Sequence, residues 1–330
     1  MNSQPPRRRG FMFWPQLPTF DDLPPEEPGE KVTLVRPAVE PVSGARYTQV
    51  IAGEPLMSLL AGVSAIALGF FIVYPLVQSA IVWIGWAARG KPGVYQDFSA
   101  AALAFQYPEG LLASFLALSL FIPLSMFMMR FTHQRRTVWL TSLQPGMRWR
   151  FMLAVVLVAV VVLNIAYWAT SGRTDFHWNP APNAWLWVLL ILVLAPLQAA
   201  GEEYLFRGYL MQLVGSVLSK PWVVILVSGV LFTAVHGWQN VPLMLDRFAF
   251  GCIMGALVVL TGGLEAAIAA HAVNNVFAFG YATLSDTLSD ARTLNEVSWS
   301  VAGINIASYL VIGVLAWRIG VYMRVAVKTP

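Results

Sequence analysis

Charge is scarce in this chain of 330 residues: Asp, Glu, Lys and Arg make up 12% of it, against 57% hydrophobic residues. A soluble domain carries about a quarter charged residues, so this composition excludes an ordinary soluble globule. A mean hydropathy of +0.63 points the same way. Cysteine is nearly absent. Cys252 is alone, so no intramolecular disulfide can form and cysteine usage is silent about redox compartment. A basic domain is also missing. The net charge of +4 comes mostly from arginines that flank apolar runs, which suits membrane topology and excludes nucleic acid as a partner. Arg7-Arg8-Arg9 is followed by no apolar h-region, so no cleavable signal peptide is expected.

Several catalytic signatures are lacking as well. There is no Gly-x-Ser-Gly for a serine nucleophile and no His-Glu-x-x-His zinc motif. There is no pair of buried aspartates either, because Asp246 stands alone beside Arg247. Cys252 lies in Gly251-Cys252-Ile253-Met254-Gly255, a small-residue pattern that reads as a helix-packing face.

What is present is a series of long apolar runs. About 20 apolar residues span a bilayer as a helix. The expected fold is an all-α, polytopic membrane helix bundle of about eight transmembrane helices, at 56–87, 110–130, 151–170, 184–208, 222–238, 244–262, 264–282 and 301–320. The stretch from Gly208 to Lys220 reads as an amphipathic, interfacial continuation. Residues 1–50 are rich in Pro, Glu and Arg without apolar periodicity and read as a disordered cytoplasmic tail, with Phe11, Phe13 and Trp14 able to touch the interface. The transmembrane domain then occupies 51–330. Short loops rich in Lys and Arg stay in the cytoplasm. The 130–150 loop holds five arginines and no acid, and the C-terminal segment is basic, whereas 283–300 is acidic. Eight spans with both termini cytoplasmic satisfy all three.

The polar residues inside the runs are few, and ionisable groups at membrane depth usually mark a pathway or reaction centre. Glu202 and Glu203 follow an apolar stretch, with Arg207 four residues after Glu203. Acid before base at i, i+4 is the favoured helical ion pair. Glu203 is therefore expected to anchor Arg207, while Glu202, about 100° round the helix, stays unpaired as a candidate base. His236 closes Phe232-Thr233-Ala234-Val235-His236. His271 and Asn275, at i and i+4, share a helix face in the next polar cluster. Each piece alone has a plainer reading: a snorkelling cluster, a packing histidine, an interhelical hydrogen bond. Together, a carboxylate, two imidazoles and an amide suffice to activate water and hold an oxyanion. His133 and His177 read as packing or interface residues. A transporter with an ion relay and a silent membrane scaffold are the rival classes.

Glu202-Glu203 with Arg207, Phe232 with His236, and His271 with Asn275 form an ordered triple on three helices. In this the sequence resembles the CPBP family, which comprises the CAAX-protease and bacteriocin-processing enzymes. The resemblance covers roughly 184–282, and no motif position departs from the pattern. It implies an α-helical intramembrane endopeptidase acting on a membrane-associated peptide or protein, lipidated or not. Eukaryotic members remove three residues after a prenylated cysteine, and bacterial members also serve in bacteriocin immunity or as scaffolds. In the glutamic version of the family mechanism, Glu202 and His236 activate water and His271 and Asn275 hold the oxyanion. In the metal version, Glu202, His236 and His271 hold a zinc ion with one open position. The resemblance also implies an integral protein of the bacterial inner membrane.

The charge pattern makes one testable prediction about topology. A cysteine placed between residues 130 and 150 is expected to react with an impermeant maleimide only after the membrane is opened. Labelling in intact cells would reverse the topology.

Overall fold

The computed structural model describes residues 38–144, 146–170 and 176–330. The tail expected over residues 1–37, with Phe11, Phe13 and Trp14, lies outside the described residues. From Ala38 the chain is described, and Tyr47, Thr48 and Val50 are buried. The packed body therefore begins before residue 51, because Tyr47 fills a gap under the core and donates its hydroxyl to the Leu140 carbonyl.

Among the described residues, eight long helices carry the fold, close to the spans expected. They are α1 (Leu56–Ala88), α2 (Pro108–Thr132), α3 (Trp149–Ala169), α4 (Ala184–Val217), α5 (Pro221–Ala234), α6 (Val241–Thr261), α7 (Glu265–Leu284) and α8 (Trp299–Tyr322). No strand occurs among the described residues. Six of these helices are long and apolar enough to cross a membrane, by length and composition. The other two fall short for different physical reasons. α5 has 14 residues, about 21 Å at 1.5 Å per residue, against a hydrocarbon core of roughly 30 Å. It stops at Ala234, ahead of Gly237 at φ +77°, and does not run to 238. α7 is long enough at 20 residues, but His271, Asn274 and Asn275 lower its hydropathy. Both of these helices carry candidate site residues.

One expectation is corrected in part. Gly208 to Leu213 are buried rather than interfacial, while Val217 to Lys220 are exposed. α4 continues through a π-helical turn at Tyr204–Leu210 to Val217, and Tyr204 to Leu213 are all buried. Sequence periodicity suggests a half-exposed segment, but surrounding elements cover every face of it as far as Leu213. Ser228 donates to the Phe206 carbonyl at 3.1 Å, Thr141 and Tyr204 share a 2.6 Å hydrogen bond, and Gln212 donates to the Trp139 carbonyl at 2.9 Å. A chain that bonds its polar groups internally can sit at this depth.

The loops gather at two ends of the bundle. At the first, 38–55, 130–148, 262–265 and the C-terminal segment interlock. Gly44 and Thr329 pair through backbone at 3.1 Å, Leu143 donates to Gly262 at 2.8 Å, and Arg148 grips Glu265 at 2.5 Å. Gly262, at φ +65°, ends α6 where a Cβ would lie 2.2 Å from the Ala326 carbonyl. His133 sits in this end, 2.7 Å from the Tyr209 hydroxyl. Burial, with Arg135 nearby, lowers its pKa to about 4, so it is neutral at physiological pH and serves as a packing residue. His177 is exposed. At the second end, Ala181 bonds Thr283 at 3.0 Å and Asn240 bonds Asn295 at 2.9 Å.

Close helix approach depends on glycines, since apolar side chains gain little by leaving lipid for one another. Gly251 meets Gly229, where an added Cβ would stand 2.9 Å from the Gly229 Cα. The face around Cys252 is thus the packing seam between α5 and α6. At Gly215 an added Cβ would be 2.0 Å from the Thr48 carbonyl oxygen. Gly215→Ala is therefore expected to cost about 1–3 kcal/mol, the range for overpacking, and to lower the melting temperature in detergent. Gly303→Ala, with nothing within 4 Å of the new methyl, leaves the melt unchanged.

Candidate active site

Glu203 and Arg207 are both fully buried. A buried ion costs several kcal/mol in lost hydration, which only close pairing and further hydrogen bonds offset. The fold supplies the pairing and one further hydrogen bond to Glu203. It also sets aromatic rings against the guanidinium, whose Nε and Nη2 have no hydrogen-bond partner among the described residues. Arg207 Nη1 donates to Glu203 Oε1 at 3.1 Å across the π-helical turn. The guanidinium carbon lies 4.1 Å from the Phe232 ring centre and 5.6 Å from that of Phe250. A desolvated cation over an aromatic face gains about 2 kcal/mol. Phe232 thus acts as the floor under Arg207, which explains why an aromatic precedes His236 by one helical turn.

Glu203 does more than neutralise Arg207. Its Oε1 also accepts from His271 Nδ1 at 2.7 Å. His271 Nε2 stands 3.6 Å from Glu202 Oε2, too far for a hydrogen bond, so one imidazole lies between two neighbouring carboxylates. Glu202 is not left unpaired, as the spacing alone suggests. Gln198 Nε2 donates to its Oε1 at 2.6 Å. Asn275 Nδ2 in turn donates to Gln198 Oε1 at 2.7 Å. The relay Asn275 to Gln198 to Glu202 joins α7 back to α4. Sequence reasoning misses Gln198, although a glutamine four residues before Glu202 in an apolar helix is a visible signal.

His236 arrives from the end of α5. Its Nδ1 lies 2.7 Å from the Phe232 carbonyl oxygen. A carbonyl only accepts, so Nδ1 carries the proton and Nε2 is left with a lone pair.

Glu202, His236, His271 and Asn275 all line one cavity of about 520 Å³, together with Gln198 and Tyr74. Arg247 and Arg292 line the same cavity and have no sequence motif to mark them. Glu203, Arg207 and Phe232 lie beneath it. The site residues expected from the sequence are thus brought together, as a layer facing the cavity and a layer supporting it. Zinc fits this arrangement poorly: among the described residues no group of three or more His, Cys, Asp or Glu side chains is gathered so as to hold a metal ion.

The fold and site define a class: a helical membrane bundle with a carboxylate, two imidazoles and an amide around an internal cavity. Residues 182–277 match the family described as type II CAAX prenyl endopeptidase Rce1-like. Every motif residue from Glu202 to Asn275 falls inside that segment. The chain is also 28% identical over 137 residues to the uncharacterized protein YyaK of Bacillus subtilis (strain 168), a match covering 38% of this chain and 42% of YyaK. The matched region thus spans less than half the length of that relative. No solved structure matches significantly. The apolar helices and the family match together describe an integral, multi-pass membrane protein.

The supporting layer makes a direct prediction. Glu203→Gln or Arg207→Ala leaves a buried charge without its partner, which costs about 3–5 kcal/mol. Each variant should melt well below wild type in detergent, and Arg207→Lys should not restore it, because an ammonium lacks the planar face that lies on Phe232. Replacing both partners with Leu and Met should recover much of the loss. Single variants as stable as wild type would remove the pair from the supporting layer.

Proposed function

We propose that the protein is an intramembrane endopeptidase that hydrolyses a peptide bond with water activated by Glu202 and His236. The observation that carries this reading is the convergence of Glu202, His236, His271 and Asn275 on one cavity above a buried ion pair. The Rce1-like match supports the protease class. The substrate on this reading is a membrane-associated peptide or protein, lipidated or not. The protein sits in a bacterial inner membrane with both termini in the cytoplasm.

The chemistry follows from the hydrogen bonds. Gln198 holds the Glu202 carboxylate by one oxygen and leaves the other for water. The His236 Nε2 lone pair is a second acceptor. As the water oxygen attacks the scissile carbonyl carbon, one of its protons passes to Glu202. The carbonyl oxygen takes the negative charge. When the C–N bond breaks, the proton held by the Glu202–His236 pair moves to the departing nitrogen, which leaves as the amine.

Asn275 carries two amide protons and spends one on Gln198. The other is a donor for the oxyanion. His271 is more constrained, because its Nδ1–H is committed to Glu203. It donates from Nε2 only when both ring nitrogens are protonated.

Glu202→Gln is expected to abolish cleavage with the melt intact, measured by profiling membrane peptides in cells carrying wild-type or variant protein. Normal turnover would sink the assignment, and an unaltered cellular phenotype would favour a scaffold. Asn275→Ala should reduce turnover by about 10²–10³-fold, the usual effect of losing one oxyanion donor, without lowering the melt. A lowered melt with near-normal turnover would make Asn275 a tie between helices. Chelator should leave the rate unchanged. Inhibition that added zinc reverses would instead make Glu202, His236 and His271 metal ligands.

A further inference from the structure

The two ends of the bundle differ in how they treat the cavity. At the arginine-rich end the described residues close it off. The π-helical turn of α4 is buried there, Gly215 abuts Thr48, Gln212 is tied to Trp139 and Tyr204 to Thr141. Beneath Glu202 lie Glu203, Arg207 and Phe232, none more than 1% exposed. At the other end the lining includes Val235, Trp238 and Gln239 on one side and Ala291 to Asn295 on the other. These two segments form a rim stitched by Asn240, whose backbone N–H donates to the Asn295 carbonyl and whose side chain donates to the Val297 carbonyl at 2.8 Å. Trp238 on that rim is 92% exposed and Trp299 beyond it 63%. Exposed tryptophans of this kind mark a membrane interface.

The charges segregate between the same two ends. The closed end carries the five arginines of 130–150 with Lys220, Arg324 and Lys328. Among the described residues, the segments at the open end carry Arg89, Lys91 and Arg292 against Asp97, Glu109, Asp286, Asp290 and Glu296. Arg89 is paired with Glu109 at 2.7 Å, as Arg135, Arg136 and Arg148 at the closed end are paired with Glu54, Glu40 and Glu265. Lys and Arg in short loops hold their end in the cytoplasm, and acids contribute little to that bias. The cytoplasmic end is thus the closed one.

We propose that the cavity opens on the non-cytoplasmic face and admits a membrane-anchored peptide from that side, not the tail of a cytoplasmic protein. Trp238 at the mouth suits a chain that arrives along the outer interface, and Arg247 and Arg292 in the lining suit acidic or carboxylate groups on it. The substrate half of this proposal rests on the protease reading above. The opening itself does not.

Two measurements separate them. In a full-length Cys252→Ala background, Trp238→Cys should react with an impermeant maleimide in intact cells to the same extent as in opened membranes. Gln144→Cys should show no labelling until the membrane is opened. The reverse pattern would overturn the proposed opening whatever the activity. Profiling of membrane peptides should then place the cuts lost in Glu202→Gln within non-cytoplasmic segments of membrane proteins. Cuts confined to cytoplasmic segments would overturn the substrate half. With the labelling as expected, an absence of any Glu202-dependent cut would overturn the protease reading and leave the opening established.

Discussion

A fully buried guanidinium governs the centre of this protein. Arg207 has no exposure, and its neighbours follow from the need to keep it charged inside an apolar bundle. Glu203 supplies the counter-charge, and Phe232 and Phe250 supply aromatic faces for the parts of the cation that the carboxylate does not reach. His271 then bonds the same carboxylate oxygen. Three helices, α4, α5 and α7, are thereby registered around one ion pair. A buried pair of this kind contributes little net stability against an apolar replacement. Its value lies in specifying how the helices meet.

That registration creates the difference between two adjacent glutamates. Neighbours on a helix point about 100° apart, so only one of them can turn inward to Arg207. The other faces the cavity, where its partners are an amide and, at longer range, the second imidazole. The π-helical turn that follows widens the helix where the charge pair closes, and such turns are frequent at functional sites. The buried ion pair and the carboxylate that lines the cavity are thus separated by one residue step.

The closed end belongs to the same economy. A polar site in a membrane needs water at one side and exclusion of leaks at the other. Here the backbone carbonyls of Thr48 and Trp139 meet the end of α4 at Gly215 and Gln212, and Tyr47 ties the 38–55 segment to the Leu140 carbonyl. Irregular backbone at this depth is tolerated because protein covers it.

Much of this is legible in the residues themselves. Scarce charge and long apolar runs require a helical bundle, since unpaired backbone groups cannot face lipid. The i, i+4 spacings of Glu203 with Arg207 and of His271 with Asn275 put each pair on one helix face. Three things depend on tertiary contacts. Gln198 becomes the link between Glu202 and Asn275 only when α4 and α7 pack together. Arg247 and Arg292 enter the cavity only when α6 and the 288–293 segment close around it. The stretch from Gly208 to Leu213 carries the periodicity of an exposed surface yet lies inside. Local spacing determines which side chains share a face of one helix, and the choice of what covers that face belongs to residues far away in the chain, which sequence periodicity does not record.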